Sequence, residues 1–113
     1  MTKYLISFPS SAMLQSPQDL QEASDATRAI VREAKEAGIW VFGGALDETV
    51  VPAMVDAKGV TTKGTYPETR HLDGGYCILE LPSYDEAVAW AAKLAAACRC
   101  AQELRAFHYD PES

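Results

Sequence analysis

Short apolar runs with a period of two alternate along the chain with two longer segments of period near 3.6, a rhythm of strands and amphipathic helices. KYLISF, residues 3–8, is the first β-type run, and PSSAMLQ breaks it. Ser16-Pro17 with Asp19 then starts a helix: a hydroxyl for the N-cap, proline at the first helical position, and a carboxylate near the positive dipole end. Leu20, Ala23, Thr27, Ile30, Val31 and Ala34 recur at helical spacing, with charged residues elsewhere on the wheel, and Gly38 suits a left-handed cap. IWVFGGAL, residues 39–46, reads as a strand whose Gly43-Gly44 pair predicts a bulge or a close approach by another backbone. Residues 52–57 and 60–62 form a hairpin about Lys58-Gly59, and YCILEL, residues 76–81, is a further strand. Ser83 and Glu86 make a capping box that launches EAVAWAAKLAAAC, a slim alanine-rich helix able to sit close to a sheet. QELRAFH, residues 102–108, is the closing strand, and YDPES is a polar tail.

The order β-α-β, hairpin, β-α-β predicts an α+β fold, a ferredoxin-like sandwich with both helices on one face of an antiparallel sheet. Strand alternation assigns Cys77, Leu79, Leu81, Leu104 and Ala106 to the helix side. It leaves Tyr76, Ile78, Glu80, Glu103, Arg105 and Phe107 on the free face. Left bare, that mixed surface would be adhesive. A symmetric homodimer burying roughly 1,200–2,000 Å² in total would enclose it around a cavity holding the charges. The 113 residues, 48% of them hydrophobic, suit one domain, 1–113, with its own core and no need of a disulfide or metal staple. So small a domain has little room for a deep private pocket, which favours a site between subunits.

Charge narrows the partners. Sixteen acidic against ten basic side chains give a net charge of −6, and the basic ones are scattered, which argues against nucleic acid. No run approaches the roughly 18 apolar residues of a membrane span, and the opening MTKYLISFPSS lacks a signal-type apolar region, so a cytoplasmic protein is expected. Cys98 and Cys100 are too close in sequence for good disulfide geometry, and three cysteines fit a reducing compartment. With Cys77, His71 and His108 they form no zinc spacing, and no metal or cofactor is expected. Neither a Ser-His-Asp spacing, a phosphate loop nor a His-Glu-x-x-His motif is present.

The segment KGTYPETRHLDGGY, residues 63–76, is the most distinctive polar stretch. It is either a catalytic loop or the turn that aims the strand after it. His71 with Asp73 offers a general base beside a carboxylate, or a merely solvated loop histidine. Arg105, beside Glu103, points toward the dimer cavity and is suited to clamp a carboxylate or phosphate. Glu80 or Glu103 neutralising it is the structural alternative. Tyr66, Glu68 and Arg70 alternate along the loop at the cavity mouth, and Tyr76 offers a hydroxyl inside. Three functions follow: a homodimer binding a small anionic or aromatic molecule between subunits, a cofactor-independent acid-base enzyme, or a protein-interaction module.

The same loop resembles the motif of the DGPF group of YCII-related proteins through Gly64, Tyr66, Glu68, Thr69, Arg70, Gly74, Gly75 and Tyr76. SYDEAVAWAAKL resembles that family's second helix, ELRAF its closing strand, AGIWVFGGAL its paired-glycine strand and TKYLISF its opening one. The resemblance implies a ferredoxin-like subunit that pairs into a dimeric α+β barrel. Among relatives it implies some enzymes of small aromatic or chlorinated compounds and some partners of sigma-factor regulatory systems. The motif's leading Asp and its Pro are Lys63 and Thr65 here, and His71 replaces an acidic residue. Some relatives carry a proposed His-Asp dyad, with His in the first helix and Asp just beyond the second. Thr27-Arg28 and ACRCA, residues 97–101, stand at those places, with neither a His nor a carboxylate.

Overall fold

The alternating runs fold as their periods require. The computed structural model describes residues 1–13 and 15–113. Strand β1 is Thr2–Phe8, helix α1 Pro17–Glu36, β2 Trp40–Ala45, β3 Ala53–Val55 and β4 Thr61–Lys63. Then come β5 Gly75–Leu81, α2 Tyr84–Cys98 and β6 Glu103–Ala106, with short 3₁₀ turns at Ser10–Met13 and Pro67–Thr69. The main sheet runs β2-β5-β1-β6, every neighbour antiparallel. With two helices on one face, this is the expected ferredoxin-like α+β fold. Strands β3 and β4 pair with each other in a separate two-stranded arm.

The helix boundaries follow from their caps. Ser16 Oγ accepts the Asp19 N–H at 3.2 Å, and Ser83 Oγ accepts the Glu86 N–H at 3.2 Å. Helix α1 ends as Gly38 enters the left-handed region at φ 74°, while its N–H donates to the Lys35 carbonyl and that of Ile39 to the Ala34 carbonyl. Between Trp40 and Phe42 the β2 register shifts, so the irregularity falls before Gly43-Gly44 rather than at it. Gly43 serves the other expected purpose, close approach. A Cβ there would lie 2.5 Å from the Trp40 ring and 2.9 Å from the Tyr76 carbonyl oxygen.

The core forms where the expected faces meet. Tyr4 and Ile6 of β1 join Cys77, Leu79 and Leu81 of β5 beneath Ala87, Ala91 and Leu94 of α2. Leu104 packs at its margin, on the helix side as its alternation predicts, whereas Ala106 is exposed. The opposite face shows three cross-strand rows. Tyr76, Ser7 and Glu103 make the first; Phe42, Ile78, Leu5 and Arg105 the second; Glu80 pairs with Lys3 in the third. Among the described residues, no helix lies over that face. Phe42 is 67% exposed and Phe107 44%. The arm presents Val50, Val51, Val55 and Val60 to solvent as well. The molecule is flat, 42 × 42 × 21 Å. Its radius of gyration, 15.5 Å, exceeds the roughly 13 Å of a compact chain of this length.

Candidate functional site

The two helices do not cover the sheet equally. Alanines at positions 87, 91 and 97 let α2 lie close against β5 and β6. Helix α1 buries only Ala23 and Ala34, leans on α2 and touches the sheet mainly at β2. Thr27 and Val31, expected in the core, are only half-buried. They roof a cavity of about 550 Å³ between α1 and the sheet. Trp40, Leu94, Cys98, Met13 and Gln102 are among its other lining residues. The volume lies within the ordinary range for small-molecule pockets, roughly 300–1,000 Å³.

Its chemistry is apolar with a cationic rim. Arg28 and Lys35 of α1 both line it, and no Asp, Glu or His does so among the described residues. Lys35 Nζ stands 5.9 Å from the Trp40 ring centroid, a cation-π arrangement. Arg28 meets Asp25 at 3.7 Å, with both side chains about two-thirds exposed. Deeper in, Thr27 Oγ1 and Cys98 Sγ are 3.3 Å apart. The two segments to which the family resemblance assigns a His-Asp dyad therefore do meet, but as a hydroxyl and a thiol. Burial raises the Cys98 thiol above its ordinary value and pushes Cys77 up to about 12. Both are protonated at neutral pH and poor nucleophiles.

The residues singled out by sequence are distributed differently. Arg105 and Glu103 form a half-exposed pair at 3.6 Å on the free face, and Glu80 pairs there with Lys3 at 3.5 Å. Tyr76, second in β5, has its side chain on that face beside them, while its position also borders the helix-side cavity. Partial burial, with the nearby Asp73 and Glu103 carboxylates, raises its phenol above the ordinary value against the opposing effect of Arg105. Tyr66 is 64% exposed at the start of the 3₁₀ turn. His71 is exposed, its Nε2 3.3 Å from Arg70 Nε.

Asp73 is held by another partner. Its carboxylate accepts the Ser10 N–H at 3.1 Å and the Ser10 hydroxyl at 2.9 Å, bonds that lower its pKa. Gly74 completes this clamp: its carbonyl accepts the Leu46 N–H, and a Cβ on it would come 1.9 Å from the Phe8 carbonyl oxygen. At Gly75 a Cβ would meet the Phe8 ring at 2.8 Å. The Asp-Gly-Gly end of the loop thus ties the end of β1 and the end of β2 to the start of β5. It aims a strand.

Arg28, Val31, Lys35 and Trp40 were not among the sequence candidates. Their signal was present only as two basic residues breaking into the helical face that carries Thr27 and Val31. Arg99, in the left-handed region at φ 61°, ends α2 and reaches Asp19 at 3.2 Å and Glu22 at 3.0 Å on α1. Lys93 of α2 also pairs with Glu33 of α1.

A model of the YCII-related domain matches residues 3–103. No curated protein matches the chain by sequence. Among solved structures it is similar to 5-chloro-2-hydroxyhydroquinone dehydrochlorinase (TftG) from Burkholderia phenoliruptrix AC1100, in complex with 2,5-dihydroxybenzoquinone. That similarity has a TM-score of 0.50 and 17% identity over 97% of each chain, and it concerns the fold. Among the described residues, no helix is long and apolar enough to cross a membrane, and no group of three His, Cys, Asp or Glu is placed to hold a metal ion.

Proposed function

Because the chain belongs to the YCII-related family, we propose that it is a cytoplasmic homodimer, each 1–113 chain a single unit, that binds a small molecule in the cavity beneath α1. One observation carries the reading: a cavity of about 550 Å³ walled by Trp40, Leu94 and Val31 in a chain of only 113 residues. The function is binding rather than acid-base turnover. A general base needs a group titrating near neutrality at the reacting atom, and the described lining offers two protonated thiols and two cations instead.

The free face closes the dimer. Phe42, Ile78, Leu5 and Phe107 supply its apolar part, and two half-exposed ion pairs, Arg105–Glu103 and Lys3–Glu80, supply charges already neutralised within each subunit. Arg105, Glu103 and Glu80 thereby shape the inter-subunit space, with Tyr76 between that face and the ligand cavity. Three free thiols fit the reducing cytoplasm.

The test fills the cavity from its roof. Val31→Trp is expected to abolish the thermal stabilisation that a panel of small aromatic and aliphatic metabolites gives the native protein, while the dimer persists in light scattering. Equal stabilisation of both proteins by the same compounds overturns the cavity assignment.

A further inference from the structure

We propose that the cavity beneath α1 takes an amphipathic monoanion: an apolar body in the pocket and a carboxylate or equivalent head at Arg28 and Lys35. This rests on the preceding reading that the cavity binds a small molecule, and it assigns the chemical class. The chain carries a net charge of −6, yet the charged side chains at this cavity are cationic and no carboxylate lines it among the described residues. Arg28 and Lys35 are seven residues apart, two helical turns, so both rise from the face of α1 that overhangs the pocket.

The present partners of these cations are weak. The Asp25 contact of Arg28 is long and solvated, and such pairs contribute little. Lys35 has the Trp40 ring at 5.9 Å. A ligand carboxylate at the rim would make charge-assisted bonds to both, which are about twice as strong as neutral ones. The rest of the wall selects the body. Ile6, Met13, Val31 and Leu94 suit an apolar body. Beyond the two rim cations the lining offers only uncharged polar groups, Ser24, Thr27 and Gln102, so a second charge placed deep in the pocket has no counter-ion there. Trp40 gives a flat surface for an aryl group. Gly43 keeps that ring across the strand, because any side chain there would collide with it.

The chain has two tryptophans, so Trp90→Phe leaves Trp40 as the sole tryptophan, whose emission can be excited selectively over that of the tyrosines. In that background 4-phenylbutyrate should shift Trp40 emission saturably, and the neutral 4-phenylbutyramide should bind at least about tenfold more weakly. Adding R28Q and K35Q together should bring the acid down to the amide's affinity while the amide is unchanged. Both side chains are exposed, and an unaltered melting temperature verifies the fold. Equal affinity for acid and amide, or an acid preference that survives R28Q/K35Q, overturns the anionic class and leaves the binding role standing. A Trp40 signal indifferent to acid and amide alike, in protein that melts normally, overturns the inference together with the binding role.

Discussion

Helices α1 and α2 begin with the same device, a serine that accepts an amide N–H from three residues on, yet they hold the sheet in different ways. Helix α2 presents small residues and Leu94 to β5 and β6 and buries five side chains. Helix α1 is longer, 20 residues against 15, and buries two. Its outer turns are tied to α2 by ion pairs from Arg99 and Lys93, and its inner face hangs over a cavity. Close packing makes α2 the stabilising layer. The gap left by α1 is where the proposed ligand binding is placed, and segments with few buried contacts open most readily.

Leucine truncation should break the symmetry most. Leu94, 6% exposed on α2, should cost about 2–5 kcal/mol on replacement by alanine. Leu20, 39% exposed on α1, should cost less than about 1 kcal/mol. Urea unfolding of Leu94→Ala and Leu20→Ala measures both, and equal losses would dissolve the contrast.

A second effect appears at high pH, in the layer α2 covers. The Cys77 thiol titrates near 9.0 when solvated and at about 12 in the fold. Between those values the unfolded chain has released a proton that the native state still holds, so stability falls as pH rises. The contribution is whole below pH about 9 and disappears progressively toward 12. Melting temperatures across that window should decline less steeply in Cys77→Ala than in the native protein.

Arg99 sharpens the comparison with the smallest change. Arg99→Ala removes both carboxylate contacts to α1 and keeps a side chain in the left-handed region, so it should lower the melting temperature. Arg99→Gly removes the same contacts but adopts that φ freely, and should lower it less. Hydrogen exchange should quicken in the first turns of α1 in both variants, with α2 nearly unchanged.

Much of this architecture was legible in the residues. Ser16-Pro17, Gly38 and Ser83 mark helix ends that the structure keeps, and alternation in residues 76–81 assigns Cys77, Leu79 and Leu81 to the core side correctly. The alanine run foretold how closely α2 would lie. What could not be read was distance. Periodicity reports which side of α1 faces inward but not how far that side stands from the sheet, so Thr27 and Val31 read as core and emerge as a roof. Tyr76, Arg105 and Glu103 share the sheet's other face, as alternation predicts, and only the Tyr76 position, second in β5, also borders the cavity on the helix side. Asp73 looked like a partner for His71 because sequence shows neighbours two residues away and hides Ser10, 63 residues distant.

Native mass spectrometry of the protein purified from its own cells tests the central claim most directly. Two 12.3 kDa chains should travel together with a small adduct on each, released on unfolding and missing from Val31→Trp. A bare single subunit, or a pair whose adducts persist when the cavity is filled, would contradict the account.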